Sequence, residues 1–346
     1  MRMGTYIARR LLLLIPVIIG VTLLVFALTR MSGDPAAAYI TDKMTEHQIQ
    51  DVYARLHIVT NPTIIDQIQA YLAWLNEVFI NFNLGYSKGP GGYQPVSSAM
   101  ASFFPMTIEL TIISMVLSVP LGIWLGTASA VRKDKMADHT TRVASLVGTS
   151  IPIFWLGLML LWIFYFNLNW FPNGGWVSDD FRLAGLPHYT GLPLLDAVLS
   201  GNVPLVWDEI WHIALPAITL SFGTIAIITR IMRASMLEVL SQDYIKTARS
   251  KGLSEKVVIN KHARRNALIP TTTVIGLAFG GLLTGAVLTE TIFQWPGIGQ
   301  WAASAMSRLD SNAIMAFVLV MAMIYVVVNL IVDLLYAYLD PRVRLE

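Results

Sequence analysis

Cysteine is absent from the 346 residues. That excludes a disulfide framework, a thiolate metal site and a cysteine nucleophile. Charge is scarce as well, at 13% of residues against about 25% in a soluble domain. The chain carries no G-x₄-G-K-[ST] phosphate loop, so it does not bind ATP in that manner. H-E-x-x-H and G-x-S-x-G are missing too, which removes the usual supports for a membrane protease or esterase. His212 and His262 lack metal-ligand spacing to another histidine, and no metal site is expected.

What is abundant is apolar surface. Hydrophobic residues make up 55% of the chain and mean hydropathy is +0.59, the composition of an integral membrane protein. A bilayer-crossing helix needs roughly 20 apolar residues. Six segments meet that need: 11–28, 104–130, 143–166, 210–231, 272–289 and 313–339. Pro120 and Pro216 fall inside two of them, which membrane helices tolerate because neighbours satisfy the freed backbone groups. The first run is longer than the 7–15 residues of a signal peptide core, so it reads as an uncleaved span. Trp155, Trp162, Tyr165 and Trp170 have the look of an interfacial aromatic belt.

Orientation follows from Lys and Arg. Counting Arg230 at the inner end of the fourth span, eighteen of the 24 fall before the first span, between the second and third, between the fourth and fifth, and after the sixth. Positive charge is retained in the cytoplasm. Both termini are therefore expected to be cytoplasmic, in a multi-pass protein of the cell membrane. The expected organisation is a cytoplasmic N-terminus and first span over 1–30, an external helical region over 31–103, and a five-helix core over 104–346. Within the external region, Thr45 and Gln48 fit a capping box. Asn61 and Pro62 then start a helix whose apolar face is Ile64, Ile68, Leu72, Leu75 and Phe79. The run Gly85–Pro95 reads as loop.

The richest segment is the basic stretch within 237–270. Asp243 to Lys251 spans about two helical turns, and Gly252 sits where a left-handed residue ends a helix. Leu253 is placed to touch Ala248, and Ser254 to cap a second helix that carries Glu255 in its first turn. Two short helices broken at a glycine make a docking shape rather than a catalytic one. Inside the spans, charge is a functional candidate by default because it is costly there. Glu109 is assigned to the pathway and Asp333 to a structural helix contact. Ser114, Ser118, Ser221, Thr224 and Thr284 are candidate pathway residues, as small weakly polar groups. An ion-coupled secondary transporter would need ionisable residues in mid-span, and only these two, near span ends, are visible.

Ala248 and Gly252 match the second Ala and the Gly of the EAA motif, and Asp243–Leu253 resembles its version in the oligopeptide/dipeptide branch of ABC-importer permeases. Further stretches resemble that branch in order along the chain. They include Gly33–Ala36, Pro105–Leu110, Ser150–Gly157, Glu290–Gly299, Asn329–Tyr336 and Asp340–Arg342. The long segment after the first span is similar to the B-type subunit. Lys246 stands where the general motif has Glu, as is usual in this branch.

The resemblance implies an all-α membrane protein with six transmembrane helices in the type I ABC-importer permease fold. It implies a non-catalytic pore subunit with no cofactor of its own, ATP and Mg being bound by the partner ATPase. Expected partners are a homologous second permease in a heterodimer, two ABC ATPase subunits and an extracellular or periplasmic solute-binding protein, with no nucleic acid. Asp243, Tyr244, Lys246, Thr247, Ala248, Arg249, Gly252 and Leu253 would form the ATPase-docking loop. Peptides are the implied cargo; oligosaccharides or nickel chelates are the alternative.

Overall fold

In a computed structural model, residues 3–31, 36, 40, 44–55, 63–89, 92–284 and 286–339 are described. The elements, in chain order, begin with α1 (Met3–Met31), α2 (Glu46–Arg55) and α3 (Ile64–Phe79). A hairpin of β1 (Tyr86–Ser87) and β2 (Gln94–Pro95) leads into α4 (Val96–Val131), α5 (Met136–Ser150) and α6 (Ile153–Leu160). Next come α7 (Asp179–Ala184), α8 (Pro193–Leu199), α9 (Val203–Leu240), α10 (Asp243–Ser250) and α11 (Glu255–Val257). The chain ends with α12 (Arg264–Leu283), α13 (Val287–Ile292), α14 (Ile298–Ser307) and α15 (Ser311–Leu339). Helices α6 and α11 run on into π-helical turns over Leu161–Asn167 and Val258–Ala263. The protein is all-α apart from the two-residue strands, which pair antiparallel with Tyr86 opposite Pro95.

Among the described residues, five helices are long and apolar enough to cross a membrane, and the bent pair of α5 with α6 has together the length and apolarity of a sixth span. That pair was expected as one straight span over 143–166. It breaks instead by 99° between Ser150 and Ile153. Pro152 is the cause: a proline pushes the preceding residue out of the helical region, and Ile151 sits at φ −76° and ψ 126°. The expected fifth span over 272–289 is displaced. Helix α12 ends at Leu283, and the chain continues as the short helices α13 and α14.

Helices α4 and α9 form the largest contact in the fold. They run parallel, and α4 presents Ser114, Ser118, Gly122 and Gly126 at every fourth position, one stripe of a helix. A Cβ on Gly126 would lie 2.7 Å from both the Thr229 carbonyl and Met232 Cβ, and one on Gly122 would lie 2.6 Å from Ile228. Small residues let membrane helices approach backbone to backbone, where packing rather than water exclusion drives association. The same device joins α12 to α15, where Gly276 faces Val332 and Gly280 faces Val328.

Helix α1 packs on α15, and Phe26, Tyr71 and Met315 join α1, α3 and α15 in one cluster. The Thr22 and Tyr71 hydroxyls lie 2.8 Å apart. The Thr45–Gln48 capping box forms as expected, with Thr45 N–H donating to Gln48 Oε1. The expected cap at Asn61 and Pro62 falls outside the described residues. The helix there starts at Ile64 on a second capping box made by Thr63 and Asp66. Its expected inner face is turned outward: Ile64, Ile68 and Leu72 are 78%, 54% and 56% exposed, while Tyr71 and Val78 are buried. The segment read as loop over 85–95 contains the small hairpin. Asp310 anchors that hairpin to α15 by accepting from Ser87 Oγ and Lys88 N–H.

Candidate functional site

The basic segment folds as α10, a sharp reversal, and α11 leading into α12. Ile245 and Ala248 are one helical face of α10, and both are buried. They pack with Met232 and Met236 of α9 and with Val258, Ala263 and Ala267 of the returning chain. Asp243, Tyr244, Lys246, Thr247 and Arg249 occupy the outer face and are exposed. Ala248, expected within the docking loop, faces inward and is 7% exposed.

The reversal is a Schellman motif. Gly252 lies at φ +76°. Its N–H donates to the Arg249 carbonyl at 2.9 Å, and Leu253 N–H donates to the Ala248 carbonyl at 3.4 Å. Ser254 does not cap α11 with its side chain. Glu255 accepts a bidentate pair from Arg249 instead, at 2.6 and 3.1 Å, which bolts α10 to α11. Asn266 Nδ2 donates to the Tyr244 hydroxyl, a further tie from α12.

Beneath this loop lies a buried ion pair. Arg233 of α9 donates from Nε and Nη2 to Asp138 of α5 at 2.6 and 2.8 Å. Ser129 of α4 donates to the same carboxylate, and so does the Asp134 N–H. Asp138 is fully buried, so its four donors replace the water it has lost. One carboxylate thus fastens α4, α5 and α9 at the end of the bundle that carries the loop.

A second knot sits toward the other end. Glu290 of α13 is fully buried and accepts from Thr107 Oγ1 at 2.7 Å and from Gln300 N–H at 2.9 Å. Thr107 in turn accepts from Ile298 N–H, and Trp295 Nε1 donates to the Met106 carbonyl. The first N–H groups of α14, which lack intrahelical acceptors, are thereby satisfied by α4 and α13. Gly297 and Gly299 let the carboxylate in, since a Cβ on Gly297 would lie 2.3 Å from Glu290. This knot joins the stretches Pro105–Leu110 and Glu290–Gly299.

The candidate pathway residues separate into groups. Glu109 is buried and accepts from Leu194 N–H of α8. Ser114, Ser118 and Ser221 meet in the α4–α9 seam, where Ser221 Oγ donates to the Ala217 and Ser114 carbonyls. Ser114 and Ser118 donate to carbonyls one turn back on α4. Thr224 is buried and bonded to the Leu220 carbonyl, and Thr284 is half-buried and bonded to Gly281. Asp333 is half-buried on α15. Glu209, not singled out from sequence, is buried on α9 with Oε2 lacking a hydrogen-bond partner. No group of metal-ligating side chains is present among the described residues.

Residues 118–345 match the family described as binding-protein-dependent transport system inner membrane component. The chain is 41% identical over 343 residues to the dipeptide transport system permease protein of Alkalihalophilus pseudofirmus, covering 99% of this chain and 100% of that relative. It is 40% identical to the probable D,D-dipeptide transport system permease protein of Escherichia coli, over 95% of this chain and 94% of the relative. Identity to the oligopeptide transport system permease protein of Bacillus subtilis is 34% over 99% of this chain and 100% of the relative.

Proposed function

The chain belongs to the family of binding-protein-dependent transport system inner membrane components, and from that membership we propose that it is the pore-forming permease subunit of an ATP-driven peptide importer. Full-length similarity to relatives named for dipeptides and oligopeptides supports the cargo. The subunit pairs with a homologous permease, two ABC ATPases that bind ATP and Mg, and an external solute-binding protein. The ends of the chain and the basic loop face the cytoplasm, in keeping with the excess of Lys and Arg on that side.

One observation carries the reading: α10 is locked to the core by Ile245 and Ala248 while its polar face is exposed. The proposed ATPase contact is that face, made by Asp243, Tyr244, Lys246, Thr247 and Arg249, with Gly252 and Leu253 at its end. Ala248 acts from beneath as the anchor. Movement of α10 on ATP binding passes to α9 through Met232 and Met236, and from there to α4 and α5 through the Arg233–Asp138 pair. Peptide passes when the helices shift against each other. Ser114, Ser118 and Ser221 meet cargo only if the α4–α9 seam opens; Glu109, Thr224 and Thr284 are the other proposed pathway residues. Asp333 remains a structural charge of α15.

The test is purification of the tagged chain from its native membrane. An ATPase subunit is expected to co-purify, and reconstituted ATPase activity to rise with peptide-loaded binding protein. Recovery of the intact chain without any ATPase would overturn the proposal.

A further inference from the structure

A cleft of about 220 Å³ opens between α5 and α9 beside the buried ion pair. Arg142, Arg230 and Arg233 line it, with Thr229, Leu146 and Ala234. Guanidinium groups stay charged at every physiological pH, and the acids nearby do not balance them. Asp138 is committed to Arg233, with Arg142 Nε 3.9 Å from its edge. Asp134 is the other acid near Arg233. Arg230 is exposed and has no hydrogen bond or ion pair among the described residues. Thr229 is 1% exposed, and its hydroxyl is a buried polar atom with no partner.

The surroundings define the ligand. The next turns of α5 expose Val143, Leu146 and Val147 at 60%, 59% and 46%. Arg142 lies about 9 Å along α5 from its start, at 1.5 Å per residue, on the side of the basic loops. A surplus of guanidinium charge next to an apolar ridge fits a phosphate ester carrying acyl chains. Basic pockets between transmembrane helices bind such headgroups. We propose that this cleft holds the phosphate of an anionic phospholipid from the leaflet facing the basic loops. Arg142 and Arg230 are the principal contacts, and one acyl chain lies along Val143 and Leu146. The site depends on membrane placement and not on the cargo.

The experiment uses the assembled transporter in nanodiscs of phosphatidylcholine alone, or of three parts phosphatidylcholine to one part phosphatidylglycerol. Native mass spectrometry counts retained lipids, and thermal unfolding reports their effect. Wild type is expected to retain phosphatidylglycerol over phosphatidylcholine and to unfold at a higher temperature with it. The pair Arg142→Gln and Arg230→Gln is expected to lower that retention by about tenfold to thirtyfold. The pair Arg142→Lys and Arg230→Lys keeps the charge and should keep most of the preference. Equal retention of both lipids by wild type overturns the proposal, as does unchanged retention in the glutamine pair. Inorganic phosphate that reproduces the whole thermal shift also overturns it, by assigning the cleft to a soluble anion. Retention by the isolated chain but not by the complex does so too, by giving the cleft to an acidic group of another subunit.

Discussion

At the scale of single residues, Gly252 and Thr107 carry much of the local geometry. Gly252 sits at positive φ with nothing within 4 Å of a built Cβ, so a substitution there is strained by backbone conformation alone. Gly252→Val is expected to cost about 1–2 kcal/mol locally, to lower ATPase attachment and transport, and to leave membrane insertion intact. Pull-down of the ATPase with the variant measures this; wild-type attachment would contradict it. Thr107→Val removes one hydroxyl of the same shape. It strands the Ile298 N–H and one oxygen of Glu290, at a cost of about 1–3 kcal/mol. A lower unfolding midpoint in detergent is expected, whereas an unchanged one would mean that the pair adds nothing. The positive φ of Gly252 was legible in sequence because a C′ glycine has a local cause. The partnership of Thr107 with Glu290 was not, since 183 positions separate them and no local rule connects them.

At the scale of elements, helices were readable and the sides they bury were not. Apolar periodicity marks the inner face of a helix only where the outer face meets water. In a membrane both faces are apolar, and α9 shows the result, burying Leu215 and Leu220 while it exposes Trp211, Ile218, Phe222 and Ile227. The useful signal there is the spacing of small residues, as on α4. Short turns outside the spans obey the ordinary rules of polar chemistry, and α8 is an example. Burial raises the proton affinity of Asp196, but the Thr190 hydroxyl and the N–H groups of Thr190, Tyr189 and Gly191 outweigh it. Its carboxyl is therefore held below the ordinary value of 3.8. A depressed folded value gives stability that is fully present above the unfolded value and lost as pH falls through the folded one. The 189–196 turn should stay protected at neutral pH and loosen only below about pH 4. Hydrogen exchange of the Tyr189 and Thr190 amides checks this, with Asp196→Asn expected to exchange fast even at pH 7.

At the scale of the whole molecule, the arrangement follows from two fastenings. The Arg233–Asp138 pair holds α4, α5 and α9 at one end, and the Glu290–Thr107 knot holds α4, α13 and α14 toward the other. The order of spans was visible in hydropathy, but the bend at Pro152 required knowing that no neighbour would carry α5 through it. Topology is the prediction at this scale. The chain has no cysteine, so single thiols can be placed at will. Cysteine at Asp180 should react with an impermeant reagent in intact cells, and cysteine at exposed Ser254 should react only after the membrane is opened. The reverse pattern would invert the proposed architecture.

The α4–α9 seam has a consequence for descent. Gly122 and Gly126 have no side chain left to trim, so any change at these positions can only add volume against Ile228 and Met232. A side chain at 126 would meet backbone, the Thr229 carbonyl at 2.7 Å and the Arg233 nitrogen at 3.0 Å, which no substitution on α9 can trim. Position 126 is therefore closed to any change that keeps the two backbones at this distance, and position 122 opens only with the loss of the Ile228 side chain.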